Sequence, residues 1–342
     1  MMTPMANRDQ RWEAFDDYVL DFALDRIRAG EKIALVTLAK IEGSSPRPLG
    51  AQMAVSETGR WVGYLSGGCI ERAVVSEAVS AIAEGRNRTV RYGRGSKYMD
   101  IQLPCGSAIE LVFDVGVSVE ELAAVDAKLR QRLPATLRVP SFGEGTDACL
   151  VRHYQPRKRL IVAGVGPSAV QLSRLGQAVG FDVVAYSPDR PTNEAASQLG
   201  AETVSIAGAG SPPRIRADAG TAIVFTFHDH EWEKELLPAA LETDAFYIGA
   251  VGSRATHRTR LRRLAEMGFD PAQLERIHGP AGLFVGVKNA TDIALSILAE
   301  IAQTQRTIEQ LHLGCEALSG RDDRPFELTE GVGSTEAGLS RR

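Results

Sequence analysis

The chain of 342 residues carries 44% apolar and 24% charged side chains and a net charge of −4, the make-up of a soluble globular protein long enough for two domains. Without a basic excess, neither nucleic acid nor an anionic membrane is favoured as a partner, and no apolar run approaches membrane-spanning length. Four cysteines (Cys69, Cys105, Cys149, Cys315) do not make a disulfide scaffold, and the first ten residues lack the apolar stretch of a signal peptide, so the cytoplasm is the expected compartment.

Residues 9–29 read as an amphipathic helix, with Trp12, Phe15, Val19 and Phe22 on one face and Gly30 as its stop. A buried strand follows over 33–41, then the turn-rich Gly43-Ser44-Ser45-Pro46-Arg47-Pro48-Leu49-Gly50. Residues 51–65 suit a hairpin bending at Glu57-Thr58-Gly59. They run into Ser66-Gly67-Gly68-Cys69 and a helical pattern to about Gly85. A thiol at or near the first turn of a helix would meet free N–H groups and the helix dipole, which favour anions and lower a thiol's pKa. Two strands then flank Leu103-Pro104-Cys105-Gly106-Ser107, the second over 109–113. Ser118, with Glu121 three residues on, opens a helix that ends near Leu133-Pro134.

Residues 134–158 are rich in Pro and Gly without sustained period and read as short strands or a linker. From Arg159, strands over 160–163 and 182–186, and near 202–206, 221–227 and 245–251, alternate with helices, which predicts a doubly wound parallel sheet. The fold class is therefore α/β: a mixed α+β domain (9–133), a linker (134–158) and a Rossmann-like domain (159–315). A polar tail (316–342) is expected to be disordered.

Gly164-x-Gly166-x-x-Ala169 sits between strand and helix, the context of a dinucleotide fingerprint. Asp189, 25 residues on, is the candidate acid for a ribose hydroxyl, with Arg190 beside it. Gly252, Ser253 and Arg254 open another helix and could help bind phosphate; Arg258, Arg260, Arg262 and Arg263 further along it suit a solvated face. His228 and His230 could share a metal, but no third ligand is evident, and Asp229 or His230 could instead cap a helix. Cys149 and Cys315 suit simple packing, whereas Cys69 and Cys105 each adjoin glycine in a loop where a ligand could reach them.

In combination these segments resemble the XdhC/CoxI family, accessory proteins of xanthine dehydrogenase and related molybdenum hydroxylases. The N-terminal likeness rests on 43–50, on Ser66-Gly67-Gly68-Cys69-Ile70-Glu71 and on Pro104-Cys105-Gly106. The C-terminal likeness rests on 156–164, on 247–254, and on His278-Gly279-Pro280-Ala281-Gly282-Leu283 leading to 293–300. The resemblance implies a chaperone, not a turnover enzyme, that binds molybdenum cofactor as molybdopterin or its cytosine dinucleotide. It would protect the cofactor while a cysteine desulfurase system supplies sulfur, and deliver it to the large subunit of an apo molybdenum hydroxylase; a homodimer is expected. Ser45, Arg47, Ser66, Gly67, Gly68, Cys69, Cys105 and Gly106 would hold the cofactor, with Cys105 or Cys69 as transient molybdenum ligand. Gly164, Gly166, Ala169, Asp189, Gly252, Ser253 and Arg254 would line the Rossmann crevice. The alternatives are an NAD(P)-dependent oxidoreductase using that crevice and a structural assembly factor whose crevice is empty.

Overall fold

The structure, a computed structural model, describes residues 18–96, 107–140, 149–207, 214–229, 231–284, 286–319 and 326–329. The chain divides into two compact units, Met1–Gln155 with Asp323–Arg342, and Pro156–Asp322.

In the first unit the strands β1 (Ile33–Glu42), β2 (Gln52–Ser56), β3 (Trp61–Gly63), β4 (Arg88–Gly93) and β5 (Ala108–Asp114) form one sheet in the order β3-β2-β1-β5-β4. Every neighbouring pair is antiparallel. Both faces are covered, which explains why β1 reads as a continuous apolar run rather than an alternation. Ala34, Val36 and Leu38 pack with Val74, Ala78, Ala81 and Ile82 of helix α2 (Glu71–Glu84). Ile33 and Leu35 meet α1 (Leu20–Arg28) and α3 (Val119–Arg130) on the other face. The expected first helix is thus described only from its second half; Trp12 and Phe15 lie outside the described residues, while Val19 and Phe22 are buried. Helix α2 stops at Gly85, which takes the left-handed conformation at φ 62° that ends helices. Helix α3 is capped by Ser118 Oγ, which accepts from Glu121 N–H, as expected. The Ser118 hydroxyl in turn donates to Glu120.

Residues 134–158 carry β6 (Ala135–Pro140) and β7 (Cys149–Tyr154), paired antiparallel, so the strand reading of this segment holds over the linker reading. Ala135, Leu137 and Tyr154 join the core around α1 and α3. Within the tail expected to be disordered, β14 (Phe326–Thr329) pairs with β7.

The second unit is the expected parallel sheet. Its strands are β8 (Arg159–Ala163), β9 (Asp182–Ser187), β10 (Glu202–Ser205), β11 (Thr221–Phe225), β12 (Tyr247–Ala250) and β13 (Ile277–His278). Their order, β10-β9-β8-β11-β12-β13, is the Rossmann order 3-2-1-4-5-6, with its switch point between β8 and β11. Helices α4 (Pro167–Ala178), α5 (Arg190–Gln198), α6 (Glu233–Leu241), α7 (Arg254–Glu266), α8 (Pro271–Glu275) and α9 (Ala290–Ser319) connect or follow the strands. Ile161, Ile223, Phe225 and Ile248 pack with Leu236 and Leu237 of α6 and Leu264 of α7. Leu160, Val162 and Val224 pack on the opposite face with Leu172 of α4 and Ile297 and Ile301 of α9.

Candidate functional site

The antiparallel order of the first sheet brings the motif-bearing connections to one end. Thr37 pairs with Gln52, Met53 with Gly63, Glu42 with Ala108 and Gly93 with Ala108. The segment after β1 (43–51), the corner after β3 (64–70) and the described ends of the β4–β5 connection, up to Ser96 and from Ser107, therefore leave the sheet from the same end. A Cβ on Gly43 would lie 3.2 Å from Ser107 Cβ, so the first and third of these connections begin side by side. Cys105 and Gly106 themselves lie outside the described residues.

At the corner Gly67, Gly68 and Cys69 are exposed between buried Ser66 and Ile70. Gly68 sits at φ +100°, a conformation open to glycine, and the space beyond it is empty. The thiol lies just before the helix: Ile70 is the N-cap and Glu71 the first helical residue. Four N–H donors of the corner, those of Leu65, Ser66, Cys69 and Ile70, are engaged within the chain. Glu71, only 3% exposed, turns back under the loop and accepts from Leu65 N at 3.2 Å, Ser66 N at 2.8 Å and Ile70 N at 3.2 Å. The Ser66 hydroxyl donates to the same carboxylate at 2.8 Å and accepts from Cys69 N at 3.1 Å. The Leu65, Ser66 and Ile70 N–H groups thus have an anion of the chain's own, and Ser66 holds the loop in shape rather than offering its hydroxyl outward. Glu71 ends the Ser66–Glu71 motif without being among the candidate cofactor-holding residues. Its signal was a serine and a glutamate bracketing a helix start, the residue types that satisfy free N–H groups there.

Arg47 reaches this corner. Its guanidinium lies 4.0 Å over the Tyr64 ring and donates from Nη1 to Tyr64 Oη at 2.9 Å. Ser45 Oγ accepts from Arg47 N at 3.2 Å and shapes the turn that presents the arginine. The roots of the first and third connections are tied by Arg91, which donates to Glu42 and, at 3.0 Å, to Glu110, while its Nε donates to Arg94 O at 2.9 Å. Hydrogen bonds from Arg91 and then Lys40 hold the Glu42 carboxyl down at about 2.

In the Rossmann unit, a Cβ on Gly164 would fall 1.8 Å from Thr226 Oγ1, so glycine is required for β8 to pass beside the end of β11. Gly166 caps α4 at φ 78°, and Ala169 is on the buried face of that helix, the close helix–strand packing a small residue permits. Gly166 N donates to Thr192 Oγ1 at 2.9 Å. Asp189, expected to face a ribose, caps α5 and accepts from Thr192 N at 2.9 Å, with Pro191 in that helix's first turn. Ser253 Oγ likewise caps α7 by accepting from Thr256 N at 3.1 Å, beside Gly252 at φ +140° and exposed Arg254.

Arg260 departs from the solvated-face expectation. It is buried and donates to both oxygens of Glu233, at 2.8 and 2.9 Å, and to Val251 O. His228 and Asp229 are exposed, and His230 lies outside the described residues. Asp229 accepts from Glu231 N, and among the described residues no cluster of three or more metal-ligating side chains occurs. The loop after β13 is fastened to α9: Gly282 N donates to Glu300 at 2.7 Å and Phe284 N to Ser296 Oγ at 2.7 Å. Although burial opposes it, the Glu300 carboxyl is held below the usual carboxylate range by His278, Tyr247 and the Gly282 N–H.

By architecture this is a two-unit α/β protein: an antiparallel sheet with glycine-rich loops gathered at one end, and a Rossmann domain. The chain belongs to the XdhC and CoxI family, whose model matches residues 26–93; the model of the XdhC Rossmann domain matches 160–301. It is 35% identical over 326 residues to the molybdenum cofactor insertion chaperone PaoD of Escherichia coli, covering 89% of this chain and 96% of that protein. A Bacillus subtilis protein named as a probable xanthine dehydrogenase subunit is 26% identical, with 81% of this chain and 94% of that one covered. A crystal structure described as a xanthine dehydrogenase from Bacillus halodurans shares the fold, with a TM-score of 0.68 at 22% identity over 84% of this chain and 96% of that one. Among the described residues no helix is long and apolar enough to cross a membrane.

Proposed function

We propose that this chain is a molybdenum cofactor chaperone rather than a turnover enzyme. It takes up the cofactor as cargo, shields it while a cysteine desulfurase supplies sulfur, and inserts it into the large subunit of an apo xanthine dehydrogenase or aldehyde oxidoreductase-type enzyme. A cytoplasmic homodimer is the form expected to act. The observation that carries this reading is the shared sheet end from which all three motif connections leave, with an exposed thiol at Cys69 and the Arg47 guanidinium beside Tyr64. It is supported by likeness, along nearly the whole chain, to a protein named as an insertion chaperone.

The chemistry of the groups fits such cargo. A guanidinium suits the cofactor's phosphate, and a thiolate is a soft ligand suited to a molybdenum–sulfur centre. In this reading Arg47 holds the phosphate and Gly67 and Gly68 let the pterin approach the backbone. Cys69 and Cys105 guard or transiently ligate the metal.

The test is to purify the full chain from cells making the cofactor, denature it, and oxidise the extract to fluorescent pterin. Nucleotide analysis of the same extract separates molybdopterin from its cytosine dinucleotide. Pterin in near-stoichiometric amount, and activation of an apo hydroxylase by the loaded protein, are expected. Absence of pterin under every loading condition would overturn the reading. If a Cys69→Ser, Cys105→Ser double variant binds and transfers normally, the thiol role is wrong.

A further inference from the structure

A dinucleotide-binding Rossmann turn recognises its ligand through three features. N–H groups at the helix start take the pyrophosphate, the second glycine clears its path, and an acid past the second strand takes the ribose. In this chain the Gly166 N–H of the first and the acid of the third are already engaged within the protein. The Gly166 N–H is directed into Thr192 Oγ1 at 2.9 Å. The hydrogen of that hydroxyl goes to Asp189 Oδ2, which also accepts from Thr192 N. A threonine hydroxyl has one hydrogen to give and lone pairs to receive, so both bonds form together. The next residue, Pro167, occupies the first helical position and has no N–H to offer. The end of β9 is closed as well. Ser187 Oγ accepts from Asp189 N at 3.1 Å, and Asn193 Nδ2 donates to Ser187 O at 2.9 Å.

A phosphate oxygen seeking the Gly166 N–H would have to displace Thr192, which is 3% exposed, and settle near the Asp189 carboxylate. Both steps oppose binding: the displaced hydroxyl and N–H lose partners, and the two anions repel. We infer that the Asp189–Thr192 pair latches the glycine turn shut, and that this Rossmann unit rejects NAD(P) in the dinucleotide pose, Thr192 being the residue that decides it. The glycines at 164 and 166 then serve the chain's own packing, as the close approach of Thr226 to Gly164 requires. The inference stands apart from the proposed cargo at the other unit.

The full-length protein is titrated with NADH and NADPH, followed by nicotinamide fluorescence, and with ADP-ribose by calorimetry. No saturable binding is expected up to about 1 mM. An Asp189→Ser, Thr192→Ala double variant keeps a capping hydroxyl at 189, frees the Gly166 N–H and removes the charge. It is expected to bind ADP-ribose at least about tenfold more tightly than the parent. Thr192→Ser, which keeps the hydroxyl, stays like the parent. Micromolar binding of NADH or NADPH by the parent would overturn the inference, whether or not the variants fold. A folded double variant that binds no more tightly than the parent would overturn the assignment to Asp189 and Thr192.

Discussion

Removing the Glu71 carboxylate tests how the glycine–cysteine corner is held. In Glu71→Ala, three backbone N–H groups, those of Leu65, Ser66 and Ile70, and the Ser66 hydroxyl lose their acceptor. The residues bearing them are at most 3% exposed, so water cannot replace the carboxylate without the loop opening. A buried donor left unsatisfied costs about 1–3 kcal/mol, and partial relaxation of the loop brings the sum to about 3–5 kcal/mol. Glu71→Gln keeps one acceptor oxygen and loses chiefly the bond from Ile70, about 1–2 kcal/mol. Because the two units need not unfold together, amide hydrogen exchange in α2 is the readout that isolates the first. Exchange limited by opening of that unit should quicken by about two to three and a half orders of magnitude in the alanine variant, and by about one in the glutamine variant. Cys69 should react faster with a disulfide reagent in the same order. Exchange within about fivefold of the parent in Glu71→Ala, with unchanged thiol reactivity, would refute the assignment of Glu71 as the loop's internal anion.

Three further outcomes follow from contacts elsewhere. Glu233→Gln or Arg260→Met leaves half of a buried ion pair uncompensated and should cost the Rossmann unit about 3–5 kcal/mol in denaturant unfolding, with the double replacement costing less than either. Gly164→Ala drives a methyl to within 1.8 Å of Thr226 Oγ1 and should destabilise by about 1–3 kcal/mol, seen as a lowered Tm. The Glu42 carboxyl, held at about 2 instead of 4.5 by Arg91, binds its proton more readily in the unfolded chain. Its contribution is therefore full above pH 4.5 and is lost as pH falls towards 2. Unfolding midpoints between those values should fall more steeply in the parent than in Arg91→Met, and the difference should shrink in high salt.

Legibility from sequence followed the range of the interactions involved. The Rossmann unit was readable because its apolar strands alternate with helices and its glycines sit at a strand–helix turn, all within short stretches. The three cofactor-motif segments were readable individually for the same reason. That they leave one end of a sheet was not, because it depends on pairings such as Glu42 with Ala108 and Gly93 with Ala108, which periodicity does not encode. β14 escaped because four residues in a polar tail make a strand only through β7. Polar residues that act on the chain itself were the hardest to read. Glu71, Asp189 and Thr192 belong to types that serve ligands and helix caps equally well, and only the hydrogen bonds distinguish the two. Arg260 looked like its exposed neighbours on α7 because its partner, Glu233, is on another helix.

The most direct measurement of the central claim is equilibrium binding of isolated molybdenum cofactor to the full chain, with bound pterin quantified after separation from free cofactor. Saturable binding near one cofactor per chain is expected, weakened at least about tenfold by Arg47→Ala or by the Cys69→Ser, Cys105→Ser pair, and unchanged by Thr192→Ser in the Rossmann turn. Saturable binding that ignores the Arg47 and cysteine substitutions would contradict that claim.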